Sequence, residues 1–390
     1  MSEISEMQTP DMIQRIGIDK IQFYGFGLDR EDGIDYNRLM CHECISIEDA
    51  GTGIPCIRYH PITHKGIKKI SIKDNQVFSD LVIGCSIKEQ KPYEYIYLTI
   101  TVDNARGVNL EPMSYEEYSR YLENVLEYIA DEYGIHLHTD FMGVKYIEIS
   151  TNILLSKKFS EYGRGFRLLM SFPDKRYGKL STYEGVSKNK QNTALKGESY
   201  KRGNKSIELI FYDKTKQLED LKKGKDTFDL PQYLRIEYRL LDQKKVKAEL
   251  GTFYWKELND RILYDWFLQK IQKQLFDQYE QWKQDCQKKL LKLIKKCRRR
   301  DPRKWHQLLL LEIDNISALN GISFILDIEQ VYEAVRSIPN SSRYSSRSIH
   351  AIDSIKIDND IYRNHDLDKI QEVINGVELA YKNSCGLVCC

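Results

Sequence analysis

The sequence predicts an α+β fold, in which an antiparallel sheet with flanking helices is followed by a mainly helical C-terminal region. Two observations carry this prediction. Several segments between residues 15 and 240 alternate apolar with polar residues, as strands with one buried face do. The segment from 254 to 297 contains no Gly or Pro and repeats apolar residues at helical spacing. The chain has 390 residues, enough for two or three domains.

The expected elements follow one another in a simple order. A strand at 15–28 comes first, and strand-like runs continue as far as 93–103. Ser114 begins a helix, because Ser-Tyr-Glu-Glu forms a capping box, and Gly134 ends it. After this helix we expect a strand at 144–154, a helix at 158–170 stopped by Pro173, a long polar segment at 174–205, and strands within 206–218 and 230–242.

These patterns divide the chain into four parts. Residues 1–14 form an N-terminal tail, and residues 15–255 form the α+β domain. A long basic helix or helix pair follows at 256–302, where Asp301-Pro302 ends it, because proline cannot continue a helix. Residues 303–390 form a small helical accessory region.

The composition is that of a soluble globular protein, with 41% hydrophobic and 30% charged residues. No apolar run approaches the roughly 20 residues that a membrane span needs. The N-terminus carries acidic residues and no apolar segment, so we expect no secretory signal. A cytoplasmic protein without disulfides and without membrane contact is the expected result.

Two groups of residues have spacings that would suit a metal, and each has a plainer interpretation. The first group would either bind zinc or place its cysteines, as small apolar residues, in the two strands of a hairpin. The second group, His136 and His138, would form a metal pair or stay solvated. The first group consists of Cys41, Cys44, Cys56, His60 and His64.

The central part of the chain is a basic block between two acidic ends, and its densest stretch is 283–305. Clustered cations attract phosphate backbones through counterion release, whereas a solvated helix face is the ordinary alternative. We therefore expect the basic helix or helix pair at 256–302 to bind DNA. The expected contacts are Lys292, Lys295, Lys296, Arg298, Arg299 and Arg300.

The strands expected at 144–154, within 206–218 and within 230–242 each carry polar residues on the face opposite their apolar residues. Because side chains alternate along a strand, the polar residues of each strand lie on one face. If the three strands are neighbours, the stripes merge into one polar floor that would hold a divalent cation and a phosphate together. Simple solvation of that face is the alternative. The floor would contain Glu148, Glu208, Glu237, Arg235 and Arg239.

Four motifs in order resemble those of rolling-circle replication initiators. They are "GIDKIQF" with Asp19, "VKYIEISTNI" with Glu148, "ESYKRGNKSIELIFYDK" with Tyr200, and "LRIEYRLL" with Glu237. The chain is similar over about residues 16 to 240 to the plasmid Rep-trans and filamentous-phage types, and to related relaxases of mobile elements. It departs from the pattern where Asn152 replaces an acid and where the Gly-Ser stretch after Tyr200 is rearranged.

The resemblance implies an endonuclease that nicks one DNA strand with a tyrosine and a divalent metal. Mg²⁺ or Mn²⁺ would lie on Glu148, with help from Glu237 or Asp19. Arg235 or Arg239 would neutralise charge that develops on the phosphate. The products would be a 5′-phosphotyrosine link and a free 3′-OH that primes replication and can reseal the strand.

The resemblance also implies which tyrosine attacks. Tyr200, expected in a basic loop, is the first candidate, and Tyr183 in "LSTYEG" is the second. The strand residue Tyr212 is expected to orient DNA or a ligand. Nearby cations expected to contact DNA are Lys201, Arg202 and Lys214.

The expected partner is DNA of a replication origin, single-stranded or cruciform, with the C-terminal region binding duplex. A host helicase and a second copy of the chain are partners that the sequence leaves open. Two other classes of function remain. One is a DNA-binding protein on the same fold that has lost its chemistry, and the other is an RNA-binding or phage-structural protein that uses the basic block alone.

Overall fold

The computed structural model describes residues 14–28, 38, 45–48, 69–72, 81–86, 95–101, 111–139, 142–173, 177–183, 199–221, 231–320, 324–338, 342–355 and 365–386. The strands are β1 Ile16–Leu28, β2 Ile45–Glu48, β3 Lys69–Ile72, β4 Leu81–Ser86, β5 Tyr95–Thr101, β6 Leu137–His138, β7 Gly143–Leu154, β8 Ser181–Tyr183, β9 Ser199–Gly203, β10 Ile207–Asp213 and β11 Tyr233–Leu240. The helices are α1 Tyr115–Tyr133, α2 Gly163–Ser171, α3 Lys214–Leu221, α4 Gln243–Leu250, α5 Asp260–Ile271, α6 Asp277–Arg300, α7 Trp305–Asn320, α8 Ile328–Arg336, α9 Ser342–Asp353 and α10 Asp366–Ser384.

The described strands form one antiparallel sheet. Its order is β2-β3-β4-β5-β1-β7-β11-β10-β9-β8, and β6 pairs with β1 outside this path. Strands that are distant in sequence, β1, β7 and β11, lie side by side at its centre. The predicted α+β class, with an antiparallel sheet and a mainly helical C-terminal region, is confirmed.

One face of the central sheet is apolar and covered by helices. Phe211 in β10 lies opposite Ile236 in β11, and Ile236 lies opposite Thr151 in β7. The alternation predicted for these strands is confirmed, since their apolar residues are buried in one large core. Helices α1, α2, α4, α5 and α10 contribute to the same core.

The helix predicted at Ser114 forms as expected. The Ser114 hydroxyl accepts from the Glu117 amide, and the Glu117 carboxylate accepts from the Ser114 amide. Gly134 ends the helix with φ 65°, a left-handed conformation that glycine adopts without steric cost. This helix buries Tyr118, Leu122, Val125 and Ile129 against the sheet.

The C-terminal helix α10 packs against the sheet instead of joining the accessory helices. At Gly376 a Cβ atom would stand 2.3 Å from the Ile153 side chain, so only glycine permits this approach of helix and strand. The Asn383 amide donates to the Gln14 carbonyl, and Tyr162 donates to Glu372 at 2.6 Å. Both ends of the described chain are therefore tied into the first core.

A second core is formed by the C-terminal half of α6 together with α7, α8 and α9. Helix α5 belongs to the first core, and a π-helical turn at Gln272–Phe276 joins it to α6. The boundaries at 256 and 303 remain predictions, and the change from the first core to the second falls between them, within α6. The accessory unit is inserted between α6 and α10, both of which contact the first core.

Three further predictions concern the polar segment at 174–205, the candidate zinc group and membrane spans. Two strands, β8 and β9, lie within the long polar segment at 174–205, where no strand was predicted. The candidate zinc group, Cys41, Cys44, Cys56, His60 and His64, lies outside the described residues. Searching the described helices shows that none is long and apolar enough to cross a membrane.

Candidate active site and metal centre

A bulge in β1 brings Asp19 onto the polar face of the sheet. Ile18 pairs with Ile149 and Lys20 with Glu148, so Asp19 is an extra residue in the ladder. Bulges of this kind redirect a side chain next to functional sites. Asp19 is buried and points toward the acidic residues of the neighbouring strands.

Three carboxylates converge beside this bulge. Glu148 in β7 lies opposite Arg239 in β11, and Glu237 lies opposite Ser150. One carboxylate oxygen from each of Asp19, Glu148 and Glu237 lies within 4.8 Å of the others, and all three residues are buried. Among the described residues, this is the group of acidic, His or Cys side chains with the spacing of a metal site. The structure thus brings together the three residues named from the sequence as metal ligands.

The donor set fits the cation implied by the resemblance. Mg²⁺ and Mn²⁺ prefer oxygen ligands, and Asp19, Glu148 and Glu237 would hold such an ion. The hydroxyl of Ser150, on the same face and opposite Glu237, is fully buried and lacks a hydrogen-bond partner among the described residues. Buried polar groups are rarely left unpaired, so this hydroxyl indicates a place for a polar ligand beside the carboxylates.

Burial and mutual repulsion control the charge of the acidic group. Removal from water raises the pKa of the Glu148 carboxyl above its usual range, and the negative charge of Glu237 raises it further. Arg239 opposes this shift. A divalent cation would oppose it more strongly, because it favours the ionised form of every ligand.

Arg235 does not contact solvent, and this corrects its predicted role on DNA. Its side chain is 0% exposed, with the guanidinium 2.8 Å from the Asp19 carboxylate. Its Nε also donates to the Asn152 side chain at 2.8 Å. A fully buried guanidinium cannot reach a phosphate, so Arg235 fixes the position of Asp19. The residue that replaces an acid, Asn152, helps to hold Arg235.

Arg239 is placed differently, at the exposed side of the carboxylates. Its Nε is 3.3 Å from Glu148 Oε1 and donates to Glu237 Oε1. A terminal nitrogen of the guanidinium is 3.9 Å from Glu208. The side chain keeps 22% of its surface exposed, which is consistent with its predicted role at a phosphate.

Tyr200 lies in strand β9, so its predicted position in a loop is wrong. It pairs with Phe211, which places it on the apolar face, opposite to the carboxylates. Its ring packs between Phe159 and Phe166, and the residue is 3% exposed. Gly163 leaves space for the hydroxyl, which would stand 2.9 Å from a Cβ there. In this arrangement the first candidate for the nucleophile belongs to the aromatic core.

Two other tyrosines touch the acidic group. The Tyr212 hydroxyl is 3.3 Å from Glu237, and the Tyr146 hydroxyl donates to Glu148. Burial raises the pKa of both tyrosines, so both hydroxyls keep their protons in the resting site. Sequence reasoning missed the contact of Tyr146, although Tyr146 and Glu148 are two residues apart on one strand and share its polar face.

The second candidate, Tyr183, pairs through its backbone with Ser199 at the edge of the sheet. Ser199 pairs with Tyr212, which pairs with Arg235. These residues form one row across four strands, in which the side chains of Tyr212 and Arg235 lie on the polar face. The register therefore places Tyr183 in the row that leads to the carboxylates.

The cations predicted beside the tyrosine have structural partners. Arg202 is buried and donates to the Met170 and Ser171 carbonyls at the end of α2, which corrects its predicted DNA contact. Burial lowers the pKa of Lys214 to about 7, with a further contribution from Arg235. A buried lysine is not a surface phosphate ligand, so this prediction is corrected too. Lys201 is 2.6 Å from Glu208.

Most basic residues in the C-terminal half of α6 are exposed. Five of them line one open groove, which we call the α6 basic face: Lys292, Lys295, Lys296, Arg299 and Arg300. Glu312 is 3.3 Å from Lys296 and 3.8 Å from Arg300. Arg298 lies apart from this face, because its guanidinium stacks on Trp305 at 4.5 Å. The DNA contact predicted for Arg298 stays a prediction.

Neither the family models nor the curated proteins provide a match to this chain. One solved structure with limited similarity is a rolling circle replication initiator protein from Geobacillus stearothermophilus. The alignment covers 61% of this chain and 78% of that chain, with 14% identity and a TM-score of 0.30. A likeness of this strength carries no conclusion about activity.

Proposed function

We propose that this chain initiates rolling-circle replication of a plasmid, phage or integrative element by nicking and rejoining origin DNA. One observation carries the proposal: Asp19, Glu148 and Glu237, each within a motif of the resembling order, converge on one face. Ser150 and two tyrosine hydroxyls border the same group. Such an arrangement suits phosphoryl transfer, in which charge is neutralised on a positioned phosphate.

The metal would be Mg²⁺ or Mn²⁺, held by Asp19, Glu148 and Glu237. When bound, it would make the scissile phosphate more electrophilic and stabilise the charge that develops on it. Arg235 would keep Asp19 in place from the buried side. Arg239, at the exposed side, would bind a non-bridging phosphate oxygen.

The attacking group would be a tyrosine oxygen, and we assign this role first to Tyr183 because its row leads to the carboxylates. Its oxygen would form a bond to phosphorus while the bond from phosphorus to the 3′ oxygen breaks. The tyrosine proton would leave to a base and a proton would reach the departing 3′ oxygen. A tyrosine with a pKa of about 10 needs such help at neutral pH.

The partner would be origin DNA, with the nicked strand on the polar face and duplex on the α6 basic face. A helicase would have to unwind the nicked strand, and its recruitment remains a prediction. A homodimer remains a prediction as well.

The second candidate is a DNA-binding protein without chemistry. Arg235 and Arg239 already neutralise much of the acidic group, and Asn152 stands where the resembling proteins have an acid. An ion-pair network of this kind can persist without a metal. Such a protein would bind origin DNA and never become attached to it.

A covalent-trapping gel separates the two candidates. The protein would be mixed with Mn²⁺ and labelled single-stranded oligonucleotides that cover the DNA flanking its own gene. We expect a protein–DNA band that resists denaturant, is absent in Glu148→Gln and Tyr183→Phe, and remains in Tyr200→Phe. The buried Tyr200 is the matched control, since it is a tyrosine on the opposite face.

The other outcomes are equally informative. A band that is lost only in Tyr146→Phe would transfer the nucleophile to the tyrosine that touches Glu148. A band lost in Tyr200→Phe would mean that β9 changes its register when DNA binds. Salt-sensitive gel shifts with no covalent band under any condition would refute nicking and support the DNA-binding protein.

A further inference from the structure

The acidic group contains its own counter-cation. Arg239 donates to Glu237 and lies 3.3 Å from Glu148, the same two side chains that would hold a metal. A divalent ion on these carboxylates would stand beside the guanidinium, and two cations at such short range repel each other strongly where water is largely excluded. Arg239 and the metal therefore compete for Glu148 and Glu237.

The two arginines of the site differ in their freedom to move. The Arg235 side chain is fully buried and bound to both Asp19 and Asn152, so it cannot move away from the site. Arg239 keeps 22% of its side chain exposed, and one of its terminal nitrogens already points toward Glu208 at 3.9 Å. Of the two cations, Arg239 is the one that can leave the carboxylates.

The surface around Glu208 would attract a phosphate only after such a movement. In the described structure Lys201 pairs with Glu208 at 2.6 Å, so these two charges largely cancel. A guanidinium released from Glu148 and Glu237 would add one unpaired positive charge beside them. Arginine binds phosphate in a bidentate manner, which makes it well suited to take a DNA phosphate there.

We propose that Arg239 is a displaceable counter-cation: a divalent metal expels it from Glu148 and Glu237, and the freed guanidinium binds a DNA phosphate. This inference rests on the proposed metal centre and extends it. Metal and DNA then favour each other's binding through one side chain, and the coupling must be equal in both directions. Without metal, the same side chain keeps the buried carboxylates neutralised.

The test is Mn²⁺ binding without DNA, measured by isothermal titration calorimetry. Arg239→Gln removes the competing charge and retains hydrogen-bonding capacity, so we expect it to bind Mn²⁺ at least about tenfold more tightly than the wild type. Lys201→Gln is the matched control, because it removes the same charge from the same face but contacts Glu208. Its affinity should stay within about twofold of the wild type, as for other partly exposed pairs.

The outcomes distinguish this inference from the proposed function. Equal or weaker Mn²⁺ binding by Arg239→Gln refutes the inference and leaves the metal centre intact. An equal gain in Lys201→Gln also refutes it, because the effect would then be general electrostatics. The absence of Mn²⁺ binding in every protein overturns both the inference and the metal centre.

A measurement on the wild type reports the displacement itself, and the variant serves only to assign the signal. The Nε–H proton of Arg239 is hydrogen-bonded to Glu237 and should give a protected NMR signal, assigned by its loss in Arg239→Gln. Addition of Mg²⁺ should broaden this signal or move it toward the position of exposed arginines. The Arg235 signal should persist, since its Nε remains bound to Asn152. An Arg239 signal that is unchanged at saturating Mg²⁺ refutes displacement.

Discussion

At the scale of residues, each carboxylate of the acidic group has a close arginine partner. Asp19 pairs with Arg235, while Glu148 and Glu237 share Arg239. Removing one member of a buried pair leaves an uncompensated charge, which typically costs about 3–5 kcal/mol. The site is thus held in place by the same charges that would bind its ligands.

A second charged residue offers a test that does not depend on function. Glu249 in α4 accepts from Lys245 and Lys270, each at 2.7 Å, and from Trp266 at 3.0 Å, which ties α4 to α5. Partial burial raises the pKa of this carboxyl, but the three donors outweigh burial and lower it to about 2. Its contribution is therefore present above the unfolded pKa of about 4.3 and lost as the pH falls toward about 2.

We expect Glu249→Gln to lower the free energy of unfolding at pH 7 by about 1 kcal/mol, a value reduced for solvent screening. The difference from wild type should shrink between about pH 5 and pH 2. Urea unfolding at pH 7, 5 and 3 would measure it, with Glu123→Gln on the exposed side of α1 as the control. A loss that is the same at pH 3 and pH 7 would contradict the assignment.

At the scale of elements, the sheet depends on how closely α10 approaches β7. Gly376→Ala adds one methyl group at 2.3 Å from Ile153, so helix and strand must separate. The same substitution in an open helix would stabilise by about 0.5–1 kcal/mol, because alanine is the better helix former.

We therefore expect Gly376→Ala to destabilise the protein by about 1–3 kcal/mol, measured by chemical unfolding. Asn375→Ala, at the adjacent exposed position of the same helix, should be nearly neutral. If Gly376→Ala raises the unfolding midpoint instead, the close contact of α10 with β7 is wrong.

The elements also show what a sequence can predict. Alternation along β7, β10 and β11 placed Glu148 and Glu237 on one face, because the strand period of two is strict. Asp19 was predicted from its motif alone, because the bulge that turns its side chain toward the carboxylates cannot be recognised in the alternation of apolar and polar residues. The position of Tyr200 was not predicted, because the polar composition of 174–205 indicated a loop where the structure has strand β9, and the register of β9 places Tyr200 on the apolar face. The return of α10 to the sheet is a long-range contact that local patterns do not contain.

At the scale of the whole molecule, the α6 basic face belongs to a helical unit with its own core, inserted between two elements of the first core. The α6 basic face and the buried carboxylates therefore belong to different cores. We expect the triple variant Lys292→Gln, Lys295→Gln and Lys296→Gln to weaken duplex binding while leaving unfolding by urea unchanged.

In the triple variant, the slope of the logarithm of duplex affinity against the logarithm of salt concentration should become less negative by about 0.9 for each phosphate contact removed. Fluorescence anisotropy over a range of NaCl concentrations would measure both slopes. Lys157→Gln, Lys158→Gln and Lys244→Gln together form the control, since these lysines are exposed and lie in elements of the first core or next to them. An equal change of slope in the control would show that the α6 basic face is not the surface that binds DNA.

The inserted unit has a mechanical consequence. Helix α6 begins in the first core at Tyr279 and ends in the second, and the chain returns to the first core in α10. A domain on a single tether can swivel, whereas this unit has two anchorages. Because α6 has buried residues in both cores, the basic end of this helix cannot move relative to the central sheet without disturbing one of the two cores.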